Sequence, residues 1–419
     1  MTSERPPVLV LAPPRFVGPL GVMRSLLPWG VRVYTLSDTA LSIPNASRFC
    51  AGHFEIGCDG RPIGQPEESI LERLLSVGRG LGEGAILVAG SDEWSVFVAR
   101  HSSQLRPAFR FPDCPIELVE SLASKHGLFE LAGRHGLPTP RIVVPSDHEH
   151  LIAAADMLEF PVMLKPIESR PGRQGLELAM DREQLISRYR AMADPGNVLC
   201  QEYIPGSDQD VWVFNGYFDA ASRCLAAFTG RKIRQYPPHM GLIALGVCEQ
   251  NDEVAAMTCR FLSAVRYQGV VDIGYRWDRR DGRYKVLDIN PRLGGAFRLF
   301  VDRNGLDVMR AMYLDLTGHA VPSVEPKDGR KWMLEAGEIL SLRHYRRDDG
   351  LTTRAWLRTL RGLEEGATFS IHDPAPFFTA MRILAQDTLA ARVGRLRSLG
   401  ARFRPRPRAV SSLAGKVPR

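Results

Sequence analysis

The chain has 419 residues, a formal net charge of +7 and 44% hydrophobic residues, which is enough for two or three well-packed domains. Its seven cysteines are scattered and form no CxxC pair, which argues against a disulfide scaffold or a zinc site and favours a reducing compartment. We find no signal sequence and no apolar run of about 18 residues, so the expected location is the cytoplasm.

Residues 1–115 alternate short apolar runs with helical patterns. The runs PVLVLA, VRVYTLS and AILVAG are predicted strands, and the helices between them predict a small, doubly wound α/β domain with a parallel sheet. The first turn, APPRFVGPLG, lacks the GxGxxG spacing, which argues against a nicotinamide or flavin dinucleotide. Ser91, Asp92 and Glu93 follow the last of these strands and either cap the next helix or face an acceptor substrate.

Residues 116–320 mix helical and strand patterns and predict an α+β core. A helical segment ends at Gly136, after which prolines stop it. Lys165 ends the apolar run VMLK, where a buried ammonium group would need an anionic partner. The following segment, ESRPGRQGLEL, is either a mobile loop that covers phosphates or a plain turn. Arginine and lysine side chains crowd the later strand FTGRKIRQY, which favours a bound anion or an exposed strand.

The segment QGVVDIGYRWDRRDGRYKVLDINPRLGG predicts two strands joined at the turn dipeptide Asp281-Gly282. Such a hairpin would bring Asp272 beside Asp288 and Asn290. The last two residues are two positions apart and therefore share one face of their strand. Carboxylate and amide oxygens are the ligands that Mg²⁺ prefers, with Mn²⁺ as an alternative ion. An edge strand with a polar, solvated face explains the spacing alone equally well.

Residues 321–402 are predicted to form a helical C-terminal extension, and residues 403–419 a basic, disordered tail. The amphipathic segment PFFTAMRILAQDTLAARVGRLRSLG either packs on the core or makes weak contact with a membrane surface. Few aromatic residues are interleaved with the basic ones, so no specific nucleic-acid partner is expected. The oligomeric state stays open.

The order of these features resembles the ATP-grasp superfamily, in particular its carboxylate–amine ligases. The resemblance covers residues 8 to 320 and depends on the motifs SKHGLFELAGRHGLPTP, VMLKP, QEYIPG, FTGRKIRQYPP and LDINPRLGG. It implies a pre-ATP-grasp domain at 1–115 and a two-lobed ATP-grasp domain at 116–320. It also implies ATP and Mg²⁺ as cofactors.

The resemblance further implies a role for each matching residue. The residues that would bind the nucleotide are Lys125, Lys165, Glu202, Tyr203, Ile204 and Asp210. The residues that would hold Mg²⁺ are Asp272, Asp288 and Asn290. The residues that would stabilise the transferred phosphoryl group and the acyl-phosphate are Arg292 and Arg231.

Within the nucleotide-binding set, the two lysines would contact the phosphates and the adenine edge. Glu202 would accept a hydrogen bond from the adenine amino group, next to a backbone segment that serves the base, and Asp210 would contact the ribose. Asp288 departs from the family, which more often has Glu there. Since Asp is one methylene shorter, it would bridge two metal ions less tightly.

The implied function is an ATP-dependent carboxylate–amine, or carboxylate–thiol, ligase. Phosphoryl transfer to a carboxylate gives an acyl-phosphate, which the amine attacks, and ADP and phosphate are released. The absence of a GxSxG nucleophile motif agrees with this chemistry. The alternatives are a catalytically weak, ATP-binding regulatory protein and a carboxylase-type ligase. The substrates, small-molecule or polymer-linked carboxylates and amines, cannot be read from the residues.

Overall fold

The computed structural model describes residues 5–36, 39, 41–57, 62, 66–167, 177–192 and 197–402, with only the backbone for 166 and 391–402. Most of the Gly-rich segment 168–178 and the whole basic tail 403–419 lie outside the described residues. Among the described residues, no helix has the length and apolar content needed to cross a membrane.

The strands of the described residues are Val8–Leu11 (β1), Val33–Leu36 (β2), Cys50–Phe54 (β3), Ala85–Ala89 (β4), Phe109–Arg110 (β5), Ile142–Val143 (β6), Val162–Pro166 (β7), Glu177–Ala179 (β8), Val198–Glu202 (β9), Val211–Phe218 (β10), Cys224–Tyr236 (β11), Leu242–Cys248 (β12), Gly269–Asp278 (β13), Arg283–Asn290 (β14), Lys331–Met333 (β15) and Leu363–Gly366 (β16). The helices are Gly18–Leu26 (α1), Glu67–Leu81 (α2), Asp92–Arg100 (α3), Ser102–Leu105 (α4), Ile116–Ala123 (α5), Lys125–Arg134 (α6), His148–Ala155 (α7), Arg182–Ala191 (α8), Asp252–Ala264 (α9), Val308–Leu316 (α10), Glu335–Asp348 (α11), Thr353–Thr359 (α12) and Ala375–Arg402 (α13).

The N-terminal domain is a parallel sheet with strand order β3-β2-β1-β4-β5. Helix α1 covers one face through Leu20 and Val22, and helices α2 and α3 cover the other through Ile70 and Trp94. Strand β1 is fully buried because both faces are covered, which explains its continuous apolar run. The predicted doubly wound sheet is confirmed.

A small lobe follows, with the antiparallel sheet β6-β9-β7-β8. Helices α7 and α8 bury one face of this sheet, through Leu151 and Leu185, against Val162, Leu164 and Cys200. The opposite face carries Lys165. The chain leaves this lobe at the end of β9 and enters the central sheet at β10.

The central sheet has the strand order β14-β13-β10-β11-β12-β15-β16 and is antiparallel except for its last pair. One face packs on α1 and α10 through residues such as Val213 and Phe228. The other face packs on α5, α6 and α9 through Phe214 and Ile273. Together with the small lobe, this sheet gives the predicted two-lobed core.

The segment 321–402 is more than the predicted helical extension, because it also contributes β15 and β16 to the central sheet. Strand β15 has three residues, and its extended conformation is stabilised by pairing with β12, where Gly246 lies opposite Trp332. A strand this short leaves too little alternation in the sequence to indicate it.

Candidate active site

The hairpin of β13 and β14 forms the acidic part of the site, and it brings Asp272 beside Asp288 and Asn290 through a register that is irregular between Gly274 and Tyr275. Asp272 lies opposite Asn290, and Gly274 lies opposite Asp288, so all four face the same side of the sheet. A Cβ atom at position 274 would lie 2.3 Å from Asp288 Oδ1, so a larger residue there would displace the Asp288 carboxylate from its present position. The missing side chain lets the Asp288 carboxylate lean across the hairpin.

Asp272 is a buried residue whose ionised carboxylate is destabilised by its surroundings. Its pKa is raised to about 6, mainly by burial and in part by the negative charge of Asp288, against the opposing effects of Arg292 and Lys232. A bound divalent cation would lower this pKa, since it stabilises the ionised carboxylate. The electrostatic balance therefore fits a metal ion at this position.

Asn290 joins the two carboxylates to Arg292. Its Nδ2 donates to Asp288 Oδ2 and to the Asp272 carbonyl, both at 3.1 Å, and its Oδ1 accepts from the Arg292 guanidinium at 3.1 Å. In this orientation the NH₂ group of Asn290, and not its oxygen, faces the two acids. A rotation of the side-chain amide would bring Oδ1 toward a cation bound between them. Across the sheet, Asn215 has a buried Oδ1 with no partner among the described residues.

The donor set fits Mg²⁺ better than a transition metal. The described residues contain no cluster of three or more His, Cys, Asp and Glu side chains that could enclose an ion. Two carboxylates with nearby amide groups leave coordination positions for water and phosphate oxygens, which is the usual arrangement for Mg²⁺.

Three lysines converge on these carboxylates from different parts of the fold. Burial lowers the pKa of Lys125, Lys165 and Lys232, in the case of Lys165 to about 8, and the negative charge of Asp288 opposes the decrease at each of them. Three partly desolvated cations around one carboxylate form a natural anion site.

Each lysine is placed by its own element. The predicted helical segment is interrupted at Ser124, whose hydroxyl accepts the backbone N–H of Gly127, so Lys125 becomes the first residue of α6. Lys165 lies on β7 and donates to Gln201 Oε1 on β9 at 2.9 Å. Lys232 lies on β11 and donates to the Gly241 carbonyl at 2.7 Å.

Arg231 does not face these carboxylates in this structure, and the role predicted for it stays a prediction. It pairs with Trp212 across β10, contacts that ring, and donates to Glu249 Oε2 at 2.8 Å on the opposite face of the sheet. The neighbouring Lys232 faces Asp272 instead, because successive side chains of a strand point to opposite faces.

Glu202 lies on β9, and its side chain points to the opposite face of the small-lobe sheet from the Lys165 side chain on β7. Its carboxylate accepts the Arg141 backbone N–H at 3.0 Å and pairs with Arg280 at 2.7 Å. Gln201, one residue earlier, is buried and bonded to Lys165, so Gln201 is the β9 side chain that faces the cleft. The nucleotide-binding role predicted for Glu202 stays a prediction, and its carboxylate is bonded to Arg141 and Arg280 in this structure.

Asp210 closes the 3₁₀ turn at 208–210 rather than facing the lysines. Its carboxylate accepts the Ser207 backbone N–H at 2.7 Å and pairs with Arg279 at 3.0 Å. Its neighbour Asp208 is a third acid, after Asp288 and Asp272, whose charge acts on Lys232. Asp208 accepts hydrogen bonds from Gln235 at 2.8 Å and from the Tyr345 hydroxyl.

Tyr203 and Ile204 lie in the connection between the small lobe and the central sheet, and the contact of their backbone with the base stays a prediction. The Tyr203 backbone N–H donates to the Pro161 carbonyl at 3.1 Å, and Ile204 is buried. The guanidinium of Arg276 on β13 lies 5.7 Å from the Tyr203 ring centroid and donates to the Gly206 carbonyl. This contact ties the connection to the strand that carries Asp272.

Arg292 follows β14 and extends toward the N-terminal domain. Its Nε donates to Asp92 Oδ1 at 3.1 Å, and a terminal nitrogen donates to the Leu293 carbonyl at 3.3 Å. Asp92 is the first residue of α3, after the N-cap Ser91, so the capping prediction for this turn is confirmed. The same turn also reaches the site.

No family model matches this chain. The D-aspartate ligase of Enterococcus faecium is 25% identical over 240 residues, which cover 54% of this chain and 57% of that protein. The D-alanine–D-alanine ligase of Stutzerimonas stutzeri is 28% identical over 169 residues, which cover 37% of this chain and 50% of that protein. The chain thus spans about half the length of the curated relatives it matches.

A solved structure extends the likeness over most of the fold. The biotin carboxylase domain of the 2-oxoglutarate carboxylase of Hydrogenobacter thermophilus, in complex with MgADP and bicarbonate, aligns with a TM-score of 0.58 at 16% identity. The alignment covers 78% of this chain and 74% of that one. At this identity, the likeness shows the shared fold alone.

Proposed function

We propose that this chain, an ATP-grasp protein similar to carboxylate–amine ligases, is itself an ADP-forming ligase that activates a carboxylate as its acyl-phosphate. The observation that carries the proposal is the convergence of Lys125, Lys165 and Lys232 on the paired carboxylates of Asp272 and Asp288. A cleft that contains both lysines and carboxylates can bind a metal–triphosphate complex, because the lysines match the phosphates and the carboxylates match the metal ion.

Asp272, Asp288 and the turned amide of Asn290 would hold Mg²⁺. When bound there, the ion neutralises phosphate charge and fixes the phosphate geometry. Asp272, with its pKa raised to about 6 by burial, gains the most from the ion. The shorter side chain of Asp288 is compensated by the absence of a side chain at Gly274, which lets its carboxylate approach the neighbouring strand.

The remaining residues position the reacting groups. The lysines would bind the phosphates, and Gln201 on the cleft face of β9 would take the base-facing role predicted for Glu202. Arg292 lies beside the metal ligand Asn290, where its guanidinium would stabilise the transferred phosphoryl group and the acyl-phosphate. An amine then attacks the acyl carbon, the C–O bond to phosphate breaks, and phosphate leaves.

The similarity to D-aspartate ligase supports an amino acid as the activated carboxylate. D-Aspartate is therefore the first candidate, followed by D-alanine from the second relative. Bicarbonate is the third, because the neighbour with the shared fold binds that anion. The amine partner, small or polymer-linked, is to be identified after the carboxylate.

Hydroxylamine trapping tests the proposal without knowledge of the amine. The chain is incubated with ATP, Mg²⁺, hydroxylamine and each candidate carboxylate, and hydroxamate, ADP and AMP are measured. Asp288→Asn removes a metal ligand, and Asp281→Asn in the solvent-facing hairpin turn is the matched control. We expect hydroxamate and ADP in equal amounts, retained in Asp281→Asn and lost by at least about 100-fold in Asp288→Asn.

The other outcomes separate the alternatives. AMP in place of ADP contradicts the acyl-phosphate. Bicarbonate-dependent ADP release without any hydroxamate from the amino acids favours the carboxylase-type ligase. Binding of MgADP without turnover for an extended panel of carboxylates favours the regulatory, nucleotide-binding protein.

A further inference from the structure

Arg292 is held partly by a residue of another domain. Within its own loop, its guanidinium donates to Asn290 Oδ1 at 3.1 Å and to the Leu293 carbonyl at 3.3 Å. Its Nε donates to Asp92 Oδ1 at 3.1 Å, and Asp92 belongs to the N-terminal domain, 200 residues earlier in the chain. Asp92 thus supplies a charged contact from outside the ATP-grasp core.

Asp92 is itself fixed by a rigid element. It starts α3, whose N-cap Ser91 accepts the Trp94 backbone N–H at 3.3 Å, and the Trp94 side chain is fully buried. A carboxylate on the first turn of a capped helix has few ways to move, and the helix dipole favours its charge there.

Two further hydrogen bonds fix the same turn against the Arg292 loop. The Leu293 backbone N–H donates to the Ala89 carbonyl at the end of β4 at 3.1 Å. Ser95 on α3 donates from its hydroxyl to the Pro291 carbonyl at 2.8 Å. The residues on both sides of Arg292 are therefore bonded to the β4–α3 turn, and Asp92 fixes the side chain between them.

The ion pair is poorly suited to a purely stabilising role. The Asp92 side chain is 43% exposed and the Arg292 side chain 16%, and a partly buried ion pair of this kind is weak evidence for a contribution to folding stability, because both charges lose hydration when the pair forms. The ion pair does restrict the orientation of the Arg292 side chain. This matters because an arginine has several rotatable bonds, and its guanidinium must point at the phosphoryl group during transfer.

We propose that Asp92 is a positioning residue for Arg292, through which the N-terminal domain takes part in phosphoryl transfer. The inference rests on the proposed function. Asp92 acts on the direction of the guanidinium, and its charge also acts on Lys125, an effect that Asp92→Asn removes in the same way as Asp92→Ala. Removal of Asp92 therefore weakens the transition state for transfer much more than it weakens the nucleotide complex.

The test measures binding of two probes, MgADP alone and MgADP with tetrafluoroaluminate, which mimics the phosphoryl group in transfer. Asp92→Ala is expected to weaken the tetrafluoroaluminate complex about tenfold or more and MgADP alone by less than about twofold. Asp92→Asn keeps an oxygen acceptor for Nε, so we expect it to stay within about threefold of the native affinity. Glu68→Ala, in the first turn of α2, is the matched control and changes neither value.

A double-mutant cycle shows whether the effect passes through the guanidinium. In an Arg292→Lys background, Asp92→Ala is expected to add less than about a twofold loss, because the group that it positions is gone. Additive losses, equal weakening of both probes, or native tetrafluoroaluminate binding by Asp92→Ala would each overturn the inference.

The wild-type chain separates this inference from the proposed function. If it binds MgADP and tetrafluoroaluminate does not tighten the complex, the inference fails together with the role proposed for Arg292, and hydroxamate formation then decides separately whether the chain is a ligase. If it does not bind MgADP, the proposed function fails and the inference fails with it.

Discussion

We predict that Lys165 links nucleotide binding to proton uptake. Burial lowers the pKa of its ammonium group from the ordinary 10.5 to about 8, although the nearby Asp288 opposes the decrease. Near pH 8, about half of the free chains therefore carry a neutral Lys165. Bound phosphates stabilise the charged form, so nucleotide binding at this pH is expected to draw a proton onto Lys165.

The size of the effect follows from the decrease in pKa. A change from 10.5 to about 8 corresponds to roughly 3 kcal/mol of unfavourable free energy for the charged group in the free site. If the phosphates restore most of that energy, binding takes up about half a proton at pH 8 and about a tenth at pH 7. Above pH 8, the affinity for MgADP then falls by up to about tenfold per pH unit.

Folding stability changes in the opposite direction. Between pH 8 and 10.5 the unfolded chain holds more protons at Lys165 than the folded chain does. The contribution of this residue to stability therefore rises with pH over that range, while nucleotide affinity falls. Two opposite trends in one pH window are hard to produce by general loss of structure.

Isothermal titration calorimetry at pH 8, in two buffers of different ionisation enthalpy, measures the protons taken up with MgADP. Lys165→Arg is the control, because a guanidinium keeps the positive charge and does not titrate in this range. We expect the uptake to fall by about half a proton in Lys165→Arg. Equal uptake by the native chain and the variant would refute the reasoning.

Three further predictions follow from the placement of the charged residues. Lys232→Met is expected to weaken MgADP binding at least about tenfold and Arg231→Met less than about threefold, measured by calorimetry, because only the first faces the cleft. Asp272→Asn should remove the Mg²⁺ dependence of ADP binding, measured with and without chelator. Arg234→Met strands the buried carboxylate of Glu338 and should cost about 3–5 kcal/mol of unfolding free energy in urea, most of it recovered when both residues are replaced by methionine.

The hairpin of β13 and β14 could be predicted from the sequence because its signals are local. Asp281 and Gly282 indicate the turn, and the strand period of two places Asp288 and Asn290 on one face of β14. The pairing of that face with Asp272 also depends on a register irregularity between Gly274 and Tyr275, which the sequence does not indicate.

The choice between Arg231 and Lys232 could not be made in the same way. Both lie on β11, which has register irregularities after Lys232, and the face toward the cleft depends on pairing with β10 and β12. The apolar pattern of this strand does not decide the question, because both faces of the central sheet are buried. The same one-residue ambiguity separates Gln201 from Glu202.

The contribution of the C-terminal segment was also beyond local reasoning. Tyr345 on α11 donates to Asp208 and accepts the Gln235 backbone N–H at 2.9 Å, which fixes the turn after β9. Tyr345 lies more than 100 residues from both partners in the sequence. A helical pattern predicts the helix but does not indicate which distant residue one of its side chains contacts.

The most direct measurement traces oxygen during turnover. A carboxylate that forms a hydroxamate in the trapping assay is labelled with ¹⁸O in its carboxyl group and turned over with ATP, and the released phosphate is analysed by mass spectrometry. Transfer through an acyl-phosphate predicts one ¹⁸O in the phosphate for each product formed. Phosphate without label, or label found in AMP, would contradict the proposed activation of the carboxylate.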